Sequence, residues 1–176
     1  MTLDGGPGWS QAGIEAPAGS RNGAVPYGVM KGPAVADHLD GLPIAEFAFP
    51  GALRDRLVAA ILDGSKVSTT SLHLQYELDD EPLSEVGERS VVIDSQDRPV
   101  AVIVTTAVDV VALADVDLAH ALDEGEGHVS VSEWRAAHER FWHSDEIRAE
   151  LGDPSFTVDD TTPVVLERFE MVERLP

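Results

Sequence analysis

The chain of 176 residues contains no cysteine. That excludes a disulfide framework, a thiolate metal site and a cysteine nucleophile, and it favours a reducing compartment. Basic residues are also scarce: 12 against 32 acidic ones, for a formal net charge of −20. Only Lys31 and Lys66 are lysines. Such a field repels polyanions at long range, so a general nucleic-acid coat protein is disfavoured. A local pocket that takes one nucleotide remains compatible with it, because salt screens the field beyond about 10 Å. No apolar run approaches the roughly 18 residues of a membrane span, and the N-terminus lacks the charged start and apolar stretch of a secretory leader. A soluble, cytoplasmic protein with no membrane partner is expected. P-loop, dinucleotide-fingerprint, nucleophile-elbow and HExxH patterns are missing as well.

What is present is an ordinary globular composition, 43% hydrophobic, at a length that suits one domain. Residues 1–43 hold most of the glycine and proline and show no sustained period. They read as an N-terminal extension, loose or laid on the domain through Trp9 and Tyr27. The domain proper is expected over residues 44–176. Leu53, Leu57, Ile61 and Leu62 fall at helical spacing, so a helix is expected over residues 51–63, closed by Gly64. Residues 68–77 read as a strand. Residues 90–94 and 99–113 read as an antiparallel hairpin around a turn at residues 95–98. A short helix is expected over residues 115–122. A second should start near Val131, where Ser130 and Glu133 fit a capping box, and a closing strand should span residues 162–172. Strands outnumber helices and no βαβ alternation occurs. An α+β class is therefore expected, as a mostly antiparallel β-barrel flanked by helices.

Three polar groupings exceed what packing demands. In Gly64-Ser65-Lys66-Val67-Ser68-Thr69-Thr70-Ser71, a lysine follows a helix-ending glycine and hydroxyls crowd a strand start. A partly buried Lys66 could act as base or nucleophile, or activate a neighbouring threonine. The same residues also suit a plain turn with a solvated lysine. In Glu124-Gly125-Glu126-Gly127-His128, two carboxylates flank a glycine. One could serve as an acid, or both could hold Mg²⁺ with waters; an acidic helix end before a flexible turn is the alternative. On the second helix, Trp134, His138, Phe141 and Trp142 form one stripe with Arg135 and His143 beside it. The stripe could stack a base, with Arg135 or His138 on a phosphate, or it could be core. His138 and His143 are badly spaced for a shared metal, and no zinc site is expected.

Taken in order, these patches resemble the ASCH family. Its mark Gly-x-Lys-x-x-Thr stands here as Gly64-Ser65-Lys66-Val67-Ser68-Thr69. Tyr76-Glu77, Glu81-Pro82-Leu83, Val86-Gly87, Glu124 to Gly127, Trp134 and His138 follow in the register of its larger bacterial branch. The resemblance spans about residues 44–172. It implies a PUA-like barrel with a cleft between barrel and helices, and action on RNA or nucleoside derivatives. Members are linked to RNA binding, to ribonuclease activity and to amide hydrolysis of N4-acetylcytidine. In the amidohydrolase branch a lysine, a threonine and a glutamate are assigned to catalysis, and by motif match these fall on Lys66, Thr69 and Glu124. Glu126 is the second-ranked match for the glutamate. Substrate contacts are expected from Gly64, Ser68 and Ser71, and from Glu126, Trp134, Arg135 and His138. Ser71 stands where many members carry arginine, so a bidentate anion contact is missing here. The leading expectation is a hydrolase on single-stranded RNA or a nucleotide-like substrate, a ribonuclease first. An N4-acylcytidine amidohydrolase and a non-catalytic RNA- or nucleotide-binding module are the alternatives. No cofactor is required, although Mg²⁺ would fit the ribonuclease reading.

Overall fold

The computed structural model describes residues 41–176, Leu39 and the backbone of residues 28–30. Most of the expected extension over residues 1–43, with Trp9 and Tyr27, lies outside them. Among the described residues, three-residue β1 (Gly28–Met30) and β2 (Ile44–Glu46) precede helix α1 (Ala52–Asp63). β3 (Ser68–Leu72), α2 (His73–Asp79), β4 (Arg89–Ile93) and β5 (Pro99–Ala112) follow. A 3-10 turn at Leu113–Asp115 leads to α3 (Leu118–Asp123), α4 (Val131–Trp142), α5 (Asp145–Leu151) and β6 (Pro163–Arg174). The five main strands and edge strand β1 form one sheet in the order β1-β2-β4-β5-β6-β3. It is mixed, because β2 runs parallel to β4 while the other pairs are antiparallel.

The α+β class holds, but the expected closed barrel does not. The ladder ends at β1 on one side and β3 on the other, and no strand pairing among the described residues joins these two edges. A barrel needs a continuous ladder around its circumference. Here the edge strands have only three and five residues.

Helix α1 buries Leu57, Val58 and Ile61 against Val92, Ile103 and Phe169 of the sheet and Phe47 just past β2. It stops where expected: Gly64 takes φ 83°, and its N–H donates to the Ile61 carbonyl. Arg54 anchors the start of the helix. Its Nε and Nη2 donate to the Ala48 carbonyl at 2.9 and 2.6 Å, and its Nη1 lies 3.1 Å from Glu46. A second core cluster gathers Leu72, Leu113, Trp134, Trp142 and Val164 beneath α3 and α4. Long β5 joins the two regions by pairing with both β4 and β6.

Two expected elements are divided. The strand expected over residues 68–77 ends at Leu72, and α2 begins at once. His73 and Glu77 meet at 3.2 Å one helical turn apart, and Asp80 closes the helix at φ 52°. The helix expected over residues 115–122 becomes the 3-10 turn followed by α3. Asp117 restarts the helix by accepting from the His120 N–H at 2.8 Å. Helix α4 starts at the expected cap: Ser130 accepts from the Glu133 N–H, and Glu133 accepts from the N–H of Val129, one residue before the cap.

Candidate functional site

Three segments meet behind Gly64. The Lys66 N–H donates to the Ala60 carbonyl of α1, and the Val67 N–H to the Asp123 carbonyl at the end of α3. The Val67 carbonyl accepts from the Phe169 N–H of β6. Lys66 is thereby held with its side chain fully buried. Its Nζ lies 3.3 Å from the Glu124 carbonyl oxygen, 3.1 Å from Glu126 Oε1 and 3.7 Å from Glu124 Oε2. The Phe47 ring lies on another side, 5.9 Å from centroid to Nζ.

The loop carrying both glutamates is pressed onto the lysine segment. Gly125 adopts φ 65°, and a Cβ there would stand 2.4 Å from the Ser65 carbonyl oxygen. Only glycine fits this contact without displacing backbone.

Glu124 is the centre of the cluster, at 0% exposure. Thr70 donates to its Oε1 at 2.6 Å, and His120 Nε2 lies 2.9 Å from the Thr70 hydroxyl and 3.3 Å from the same Oε1. His138 Nε2 approaches Oε2 at 3.3 Å, an ion-pair contact rather than an aligned hydrogen bond. Oε2 is therefore the carboxylate oxygen with no aligned donor. Burial works to raise the Glu124 pKa. The charges of His138 and Lys66, with the close contacts of both histidines, override it and hold the carboxyl well below its ordinary range. His138 shows the complement. Burial works against its charged form, yet the Glu124 charge lifts its pKa above the ordinary value. Its Nδ1 faces the Trp134 carbonyl at 3.0 Å, and a carbonyl only accepts, so Nδ1 carries hydrogen. With Nε2 against a carboxylate, the imidazolium is the form that suits both partners. Two cations, Lys66 and His138, thus face two anions, Glu124 and Glu126.

The structure brings together Lys66, Glu124, Glu126 and His138. Thr69 is buried in mid-β3. Strand alternation turns it to the sheet face opposite Thr70, across the ladder from Glu167. Ser68 shares the Thr70 face and donates to the His120 carbonyl at 3.2 Å. Ser71 shares the Thr69 face and meets the Tyr76 hydroxyl at 3.3 Å. Gly64 shapes the approach to Lys66 as the cap of α1. Trp134 is fully buried core, its ring 4.3 Å from the His138 ring, and backs the cluster from within. Arg135 points elsewhere, engaged by Glu139 at 2.7 Å and Asp160 at 2.6 Å. Thr70 and His120 are members that the motif reading passed over. The four-residue spacing of His120 and Glu124, one turn apart on a helix, was the available signal.

Among the described residues no group of three or more His, Asp or Glu side chains is arranged to hold a metal ion. Lys66 supplies the cation that faces both glutamates. Nor is any helix among them long and apolar enough to cross a membrane.

Chemically, the arrangement offers a buried ionised carboxylate, one oxygen clamped by Thr70 and the other lying between Lys66 and His138, beside a fixed ammonium. This can move a proton and stabilise a developing oxyanion at one place.

Comparison with known proteins gives a consistent picture. The family model for the ASCH domain matches residues 45–173. The crystal structure of an ASCH domain from Lactobacillus crispatus is similar at 27% identity, with TM-score 0.66, covering 74% of this chain and 79% of that one. A protein of known structure from Enterococcus faecalis is similar at 26% identity, with TM-score 0.60 and coverages of 69% and 70%. No curated protein matches the chain.

Proposed function

The chain belongs to the ASCH family, and from its buried lysine–glutamate centre we propose that it is a hydrolase for a nucleoside-like substrate, cleaving an amide. The observation that carries this reading is the Lys66–Glu124 pair, with both side chains at 0% exposure and Glu126 on the same ammonium. Glu124 Oε2 takes a proton from water, the resulting hydroxide attacks the acyl carbon, and Lys66 stabilises the oxyanion. Glu124 then returns the proton to the departing nitrogen, releasing the free amine and a carboxylic acid that loses its proton to solvent. Thr70 and His120 hold Oε1 so that Oε2 alone exchanges protons. The substrate enters past Glu126, whose side chain is 11% exposed and is the accessible edge of the cluster.

This reading reverses the order of the two hydrolytic alternatives. A phosphodiester brings its own negative charge and calls for cations in excess. Here Lys66 is already matched by two carboxylates, and the protein carries −20 overall. A neutral acylated nucleoside meets no such repulsion.

The test incubates wild type and Lys66→Ala with N4-acetylcytidine and, separately, with single-stranded RNA, with and without Mg²⁺. Lys66-dependent release of acetate supports the proposal. RNA cleavage without acetate release would replace it with the ribonuclease, and binding without turnover would replace it with a recognition module.

A further inference from the structure

Strand β5 is paired on one of its sides for only half its length. β4 takes it from Pro99 to Val104, and the last bonds on that side join Thr105 to Gly87 and Glu88. On its other side β6 follows it as far as Ala112. Residues 106–112 are therefore a free edge inside a sheet whose ladder ends at β1 and β3.

The register tells which groups face outward. The Leu113 N–H donates to the Thr162 carbonyl opposite it, one step beyond the Ala112–Pro163 pair. Bonded and non-bonded pairs alternate along an antiparallel ladder, so Val111, Asp109 and Ala107 turn their amides to β6. Val108, Val110 and Ala112 turn N–H and C=O away from it. The register shift between Thr105 and Ala107 makes the change, since Thr105 still bonds on the β4 side. Among the described residues no hydrogen bond reaches these outward groups.

The segment Thr-Ala-Val-Asp-Val-Val-Ala has no proline, glycine or lysine to blunt the edge. Val110 is 46% exposed, and Val86, next to Gly87 in the turn before β4, is 69% exposed. Strand alternation puts Val108 and Val110 on one face and exposed Asp109 on the other. Glu85 and Asp115 are exposed close to the two ends of the segment in sequence or pairing. The arginines across the ladder from β5 are already matched: Arg89 lies 3.8 Å from Glu173, and Arg168 lies 2.6 Å from Asp123.

We infer that residues 106–112 are a docking edge for an extended basic segment of a partner protein, which adds to the sheet as a further strand. Main-chain bonds to Val108, Val110 and Ala112 supply the affinity, and alternate side chains supply the specificity. Partner residues on the Val108–Val110 face are apolar, and those on the Asp109 face carry Lys or Arg. Charge selects this occupant over a second copy of the chain, which would bring another −20 to the contact. The inference stands apart from the hydrolase reading, because the edge contains no residue of the Lys66 centre.

The experiment titrates the full chain by calorimetry with a short capped peptide of alternating valine and lysine. Two controls accompany it: the same peptide with its backbone amides N-methylated, and one with glutamate in place of lysine. Both controls should bind at least tenfold more weakly. Val110→Pro removes one outward N–H and leaves the β6 ladder whole, so it should weaken the lysine peptide about tenfold. Val110→Thr keeps that N–H and should bind as wild type does, while Asp109→Lys should bind several-fold more weakly. Melting curves confirm that each variant is folded, and if Val110→Pro is not, the methylated peptide decides alone. No binding of the lysine peptide at millimolar concentration would overturn the inference. Equal binding of the methylated peptide would reduce it to attraction between opposite charges and overturn it too, as would unchanged affinity in Val110→Pro. Sedimentation of the chain alone is the last arm: self-association that Val110→Pro abolishes would give the edge to a second copy instead.

Discussion

Lys66 Nζ lies 3.7 Å from Glu124 Oε2, and neither side chain has any exposed surface. Removing one partner of such a pair leaves an uncompensated buried charge. Lys66→Met should therefore cost about 3–5 kcal/mol of stability. Urea denaturation at pH 7 measures it. The double variant Lys66→Met/Glu124→Gln should be more stable than Lys66→Met alone, since only the partly exposed Glu126, and no fully buried carboxylate, is left without the ammonium.

Thr70→Val replaces the donor at 2.6 Å from Glu124 with a methyl group of similar size. Losing a hydrogen bond to a charged group should cost about 1.5–3 kcal/mol. The pH dependence carries the sign. Glu124 is depressed in the folded state, so its contribution is present above the unfolded carboxyl pKa and disappears as pH falls through the folded value. The deficit of Thr70→Val should accordingly be full at pH 7 and shrink in acid. A deficit that does not change with pH would show that Thr70 does not act through Glu124.

Two glycines of the same loop should behave differently. Gly127 has φ 86° with open space where an added methyl would stand, so Gly127→Ala should cost about 1–2 kcal/mol from backbone strain alone. Gly125→Ala adds a collision with the Ser65–Lys66 peptide and should cost clearly more. It should also reduce turnover sharply, by lifting Glu124 and Glu126 from Lys66. Thermal melts and acetate release of the two variants, side by side, check this.

Glu150 gives a pH effect away from the site. Burial, together with the charge of Asp79, pushes its pKa up to about 7. A carboxyl raised in the folded state binds its proton more tightly there, so stability falls as pH rises from the unfolded value to about 7. Glu150→Gln should remove that slope and stabilise the protein above pH 7. Because the group keeps some contact with solvent, the gain should be on the order of 1 kcal/mol rather than the full linkage value. Melting temperatures at pH 5 and pH 8 test it.

What could be read from the sequence was set by how local each signal is. Gly64 after a helical stripe fixed the end of α1, and Ser130 with Glu133 fixed the start of α4, because caps are settled within one turn. The hairpin of β4 and β5 followed from β-branched runs around a short turn. Residues 73–77 misled because Leu72, Leu74 and Tyr76 alternate as a strand does, while packing of α2 against the sheet decides the matter. Helix α5 was missed although Ser144 caps it, Asp145 and Glu146 open it and Gly152 closes it. Seven residues are too few for a clear period. In the site, the motif pointed to Lys66 and Glu124, which the fold does bring into contact. It could not show that Thr70, not Thr69, hydrogen-bonds Glu124. That depends on which face of β3 meets α3, a matter of sheet topology that no local spacing encodes.

The burial of Lys66 also gives the protein a built-in clock. The chain has only one other lysine, Lys31. Amine-acylating reagents added in excess will label Lys66 only while the loop of residues 124–128 is lifted from it. Mass spectrometry of that one peptide over time then counts opening events directly, and the rate it returns is the ceiling on how fast any substrate can be admitted.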